Sequence, residues 1–116
     1  MSVFNLDGRI FAPVHNTVGG TVTDETKFHF HQSGNNITAD YAGGDVKTGL
    51  IIGIFVKPDT AKLIYHCLTI DDQLKAGEAL AHFNVNDSGV LCIDMHWRWL
   101  NGEQTSGTSH YEEIRS

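Results

Sequence analysis

From residue 91 to residue 99 every second side chain is large and apolar. Leu91, Ile93, Met95, Trp97 and Trp99 alternate with Cys92, Asp94, His96 and Arg98. An extended strand accommodates such a series, because its side chains point to opposite faces with period two. One face then lies in a core and the other meets water. The alternation predicts that Met95, Trp97 and Trp99 are buried and that Asp94, His96 and Arg98 are more exposed.

Similar signals recur along the chain. Residues 26–31 alternate polar and aromatic side chains and run into Ser33-Gly34-Asn35-Asn36, a turn from which residues 37–42 return. Gly43-Gly44-Asp45 tolerates the positive φ of a tight hairpin, and a further strand is expected over Val46–Lys57. Pro58-Asp59 turns the chain into residues 62–70, rich in β-branched and aromatic side chains. Residues 71–83 carry mixed signals: Asp71 suits a helix cap and Leu74, Ala76 and 78–81 favour a helix, whereas Gly77 opposes one. Strand is expected there. Asn86-Asp87-Ser88-Gly89 and Asn101-Gly102 supply two more turns, and residues 105–114 end the chain as a polar strand.

With a short first strand near residues 9–12, the count reaches about eight strands joined by short connections. The expected fold is all-β: an antiparallel up-and-down meander closed into a small calycin-like barrel, which leaves no sheet edge exposed.

The chain has 116 residues, a length suited to one domain with one core. No apolar run approaches the roughly 20 residues of a membrane helix. The first residues lack the basic start and long apolar stretch of a secretory signal. A cytoplasmic protein with no membrane partner is expected. A net charge of −6 and the lack of any Lys/Arg cluster remove the electrostatic footprint that nucleic acid requires. Cys67 and Cys92 sit inside apolar strand-like runs and are expected as reduced, buried thiols.

A family resemblance covers residues 8–114. It is carried by Thr26-x-Phe28-x-Phe30-x-Gln32-x-Gly34, by Ala39-x-Tyr41-x-Gly43-Gly44-x-Val46-x-x-Gly49-x-x-x-Gly53, by Trp97-x-Trp99 and by Ser106-Gly107-x-Ser109-x-x-Glu112-Glu113. Together these resemble a family of short bacterial proteins often labelled N-acetylglutamate synthase. The label implies acetyl transfer from acetyl-coenzyme A. No glycine loop that would cradle a pyrophosphate ahead of a helix is present, so neither that activity nor that cofactor is carried over. This chain also departs from the pattern ahead of Trp97-x-Trp99: where relatives tend to carry an acidic residue it has Met95 or His96.

His29 and His31 share one face of their strand, a spacing from which two metal ligands can come, but no third ligand follows. Phe28 and Phe30 claim the core, so both imidazoles are expected in solvent, and no metal site is expected. Asp94 beside His96 could orient an imidazole for general-base work, yet no nucleophile is tied to them by sequence. No catalytic residue is assigned.

Tyr41, Tyr65, Trp97 and Trp99, with Phe28 and Phe30, form the expected inward aromatic set. An eight-stranded barrel is just wide enough to be filled by side chains or to hold one small ligand. Tyr41, Tyr65, Trp97 and Trp99 bring polar tips and are the expected ligand-binding residues, the guest being a small hydrophobic or aromatic molecule bound without chemistry or cofactor. Two alternatives stay open. One is a barrel isomerase or cyclase using His66 and Glu112, or the Asp94–His96 pair, as acid–base groups. The other is a structural or interaction module with a filled core.

Residues 50–56 are apolar on both faces, which predicts a homodimer through this strand. The expected register sends Val46, Leu50, Ile52 and Ile54 to the core and leaves Ile51 and Phe55 outside, where Gly49 and Gly53 let a second copy approach.

Overall fold

The alternating segments pair with their neighbours in chain order. The computed structural model describes residues 4–16, 25–100 and 106–114. Eight strands follow one another: β1 (Ile10–Asn16), β2 (Lys27–Ser33), β3 (Asn36–Gly43), β4 (Val46–Lys57), β5 (Thr60–Thr69), β6 (Leu74–Val85), β7 (Leu91–Trp99) and β8 (Ser106–Glu113). Each pairs antiparallel with the next, and β8 pairs with β1 to close the barrel. The expected Asn101-Gly102 hairpin lies outside the described residues. No helix of the described residues is long and apolar enough to cross a membrane.

The local chemistry explains most of the boundaries. Gly43 and Gly44 take φ of 116° and 60° and turn β3 into β4, as glycine permits. The mixed-signal stretch becomes β6, in which Gly77 sits opposite Tyr65. On β7, Met95, Trp97 and Trp99 are buried, while Asp94 is half-buried and His96 and Arg98 are exposed, as the alternation requires.

The expected register of β4 is overturned. Ile51 and Phe55 are buried, whereas Leu50, Ile52, Ile54 and Val56 are exposed. The cause is a bulge at the start of the strand. Val46 lies opposite Thr69 but Thr48 lies opposite Leu68, so β4 spends two residues where β5 spends one. One extra residue flips every later side chain to the other face. Val46 therefore points inward, as expected, and the rest of the even set points out.

The core has two chemically distinct halves. Toward the end where β2, β4 and β6 finish, Phe11 packs against Phe30, and Phe55 and Phe4 both pack against Phe83. The Leu6 backbone N–H bonds Gln32 on β2 while Phe4 reaches Phe83 on β6. Residues 4–6 thus run across this end, and fully buried Leu6 plugs it. Toward the other end, where β2, β4, β6 and β8 begin, the interior carries Tyr41, Tyr65, Trp97, Trp99 and Cys67.

Candidate functional site

All four side chains expected from the sequence to meet a ligand point into the barrel and are gathered toward that second end. Tyr65 meets Trp99 edge-on with ring centroids 5.4 Å apart, and Trp97 lies 6.0 Å from Trp99. Tyr41 stacks on Phe28 at 4.7 Å, and Phe28 in turn meets Tyr111 edge-on at 5.1 Å. The Lys75 ammonium stands 5.3 Å from the Trp99 ring.

Glycines on the neighbouring strands make room for the tyrosines. Tyr41 lies opposite Gly49, and a Cβ there would collide with its ring. Tyr65 lies opposite Gly77 under the same constraint. Each phenol then reaches over the glycine strand to the next one: Tyr41 donates to the His66 carbonyl at 3.3 Å and Tyr65 to the Arg98 carbonyl at 3.5 Å. Both bonds are long, at the weak end of hydrogen-bond geometry. Trp97 is held more firmly, its indole N–H donating to the buried Ser109 hydroxyl at 2.7 Å.

Burial sets the electrostatics of these residues. It pushes the Tyr41 and Tyr65 phenols far above the ordinary tyrosine value, and the Cys67 thiol and Tyr111 phenol nearby add to the effect. Tyr111 is pushed up to about 12 by burial, against a lowering hydrogen bond with Ser109. The Cys67 thiol is also raised by burial, although its hydrogen bond to Tyr41 and the charge of Lys75 act the other way. All these groups are neutral near pH 7, so they present hydroxyl and thiol groups rather than charges.

Tyr111, Ser109 and Cys67 were not expected in this set. Tyr111 and Ser109 belong to a strand that reads as polar, and the available signal was their period-two spacing, which places them opposite Ile93 and Met95.

The groups named for acid–base chemistry face outward. His66 is exposed on β5 and Glu112 half-buried on β8, with two strands between them. Asp94 does not pair with His96. Its carboxylate meets the His110 Nδ1 across the strands at 2.6 Å, and that bond is the first cause holding Asp94 below the usual carboxylate range. His29 and His31 are exposed, with His31 3.8 Å from Asp40. Both cysteines are buried and unbonded. The metal-compatible grouping among the described residues lies elsewhere: Cys92, His110 and Glu112 on the outer wall of β7 and β8.

A closed eight-stranded meander with a tyrosine- and tryptophan-lined half is a calycin-type barrel. The chain belongs to the avidin-like protein family, whose model matches residues 4–114. That match gives no support to the N-acetylglutamate synthase label carried by the short bacterial proteins it resembles. No curated protein and no solved structure gives a significant match.

Proposed function

We propose that the chain binds one small hydrophobic or aromatic molecule, without chemistry, among Tyr41, Tyr65, Trp97 and Trp99. The observation that carries this reading is the division of the interior. One half is closed by phenylalanines and Leu6, and the other concentrates the polar-tipped aromatics. A buried phenol or indole needs a hydrogen-bond partner that phenylalanine does not, and such side chains are grouped in this half around Phe28. The long bonds of Tyr41 and Tyr65 leave those hydroxyls ready to exchange a backbone carbonyl for an acceptor on a guest. Membership of the avidin-like family supports a barrel of this use.

Both tryptophans of the chain belong to this set, so intrinsic emission reports on it directly. Anilinonaphthalene sulfonate is a suitable first probe. Binding should quench tryptophan emission saturably at one dye per chain, and Trp99→Ala or Tyr65→Ala should weaken it at least tenfold while Ile52→Lys on the outer wall leaves it intact. Dye binding that Ile52→Lys abolishes and Trp99→Ala spares would place the apolar site outside the barrel and refute the proposal.

A homodimer through the outer wall is the second part of the proposal. Leu50, Ile52, Ile54 and Val56 on β4 lie exposed beside Ile64 on β5 and Leu80 on β6, with Ile52 directly opposite Ile64. Lys62, Glu78 and Arg98 border this strip. A two-fold pairing can then set acid against base around an apolar centre.

A further inference from the structure

The outer wall of β7 and β8 holds a second cluster with different chemistry. Register places Cys92 opposite Glu112 and Asp94 opposite His110, all on the side away from the core. One donor atom from each of Cys92, His110 and Glu112 lies within 4.8 Å of the others. The His110 Nε2 is already 3.5 Å from Glu112 Oε2. On the far side of the ring, Nδ1 bonds Asp94 Oδ1 at 2.6 Å.

Cys92 distinguishes this cluster from an ordinary surface ion pair. It is fully buried but does not belong to the contiguous cluster of core side chains, and it alternates with Leu91 and Ile93 along β7. Its thiol donates to the Val90 carbonyl at 3.5 Å. The Glu112 carboxylate and the His110 imidazole are among the neighbours of the thiol.

We propose that Cys92, His110 and Glu112 bind a borderline-soft divalent cation of the zinc class, with Asp94 as the positioning residue for His110. One thiolate, one imidazole and one carboxylate are the donors zinc takes, whereas magnesium and calcium prefer all-oxygen shells. Donors around a tetrahedral zinc stand roughly 3.3–3.6 Å apart, from bond lengths of about 2.0–2.3 Å. The His110–Glu112 separation already matches at 3.5 Å, and with the three donor atoms within 4.8 Å of one another Cys92 has at most about 1.5 Å to close. The Asp94–His110 bond fixes the ring with Nε2 toward the ion, the arrangement in which a carboxylate orients a metal-bound histidine. On binding, the thiol releases its proton to solvent and the sulfur bonds the ion, leaving a fourth position to water. The site does not depend on the ligand-binding reading of the barrel interior.

Cobalt(II) provides the test, since a thiolate ligand gives it a near-ultraviolet charge-transfer band. The reduced, chelator-treated chain should bind cobalt at one ion per chain with that band, and added zinc should bleach it. Cys92→Ser should remove the band, and Cys67→Ser should retain it. Asp94→Asn should keep the band but weaken binding about 10–100-fold, the usual effect of losing such a positioning group. His110→Gln and Glu112→Gln alter half-buried side chains and should each weaken cobalt binding at least tenfold with the circular dichroism unchanged. They carry the test if Cys92→Ser fails to fold. No charge-transfer band at saturating cobalt, a band that survives Cys92→Ser, or unchanged affinity in both glutamine variants would each overturn the site.

Discussion

The ring of Tyr41 lies against Gly49, its register partner on β4, and its hydroxyl crosses that strand to the His66 carbonyl on β5. Gly49 is thus a space holder for a neighbour's side chain. Gly49→Ala should destabilise the barrel by about 1–3 kcal/mol, the usual range for overpacking a core. In a Tyr41→Ala background the same substitution should cost much less. Urea unfolding of the four proteins measures the difference, and equal costs in both backgrounds would show that the ring does not set the requirement.

Ser109 is the acceptor for the buried indole N–H of Trp97. Ser109→Ala leaves that donor unpaired, at about 1–3 kcal/mol. In a Trp97→Phe background the same substitution should cost less, because no indole donor is left to orphan. A double variant less stable than the sum of its parts would contradict this.

All three tyrosines of the chain are buried, and burial raises each phenol above its ordinary value. The folded state therefore keeps protons that the unfolded state gives up above about pH 10. The stability these groups contribute is fully present below that pH and is lost as pH rises toward the folded values. Ultraviolet titration should show almost no phenolate near pH 10, then a cooperative rise that coincides with loss of the near-ultraviolet circular dichroism. Gradual ionisation at pH 10 with the fold intact would mean the phenols meet solvent.

How far the sequence can be read depends on whether the two faces of a strand differ. On β7 they do, and the burial of Met95, Trp97 and Trp99 follows from period two alone. On β4 both faces are apolar, so alternation carries no information about direction, and the bulge near Lys47 then reverses it. Tyr41, Tyr65, Trp97 and Trp99 were legible as an inward set because each has a charged residue or a histidine beside it on its own strand, Asp40, His66, His96 and Arg98. The Cys92, His110 and Glu112 grouping was not, because it arises from the register between two strands. Likewise Asp94 and His96 are neighbours in sequence, but cross-strand partners stand closer than residues two apart on one strand, so Asp94 pairs with His110.

The corrected register of β4 changes which variant splits the proposed dimer. Ile52 is 65% exposed and Phe55 only 5%. Ile52→Asp should yield a folded monomer, since it places an unpaired charge in the proposed interface. Phe55→Asp should instead cost about 3–5 kcal/mol or more inside the core and unfold the chain. Sedimentation velocity at micromolar concentration, with circular dichroism alongside, separates the outcomes. A wild type that is already monomeric refutes the dimer.

The binding proposal is tested most directly by following the two indole N–H signals in a proton–nitrogen correlation spectrum of the isotope-labelled chain. Small aromatic fragments such as indole and naphthalene derivatives are added in turn, with the methyl signals of Ile52 and Ile64 recorded as an outer-wall control. The account predicts that at least one fragment shifts both the Trp97 and the Trp99 indole signals saturably while the isoleucine methyls stay in place. Fragments that move only the outer-wall methyls, or that leave both indoles unmoved at millimolar concentration, would contradict it.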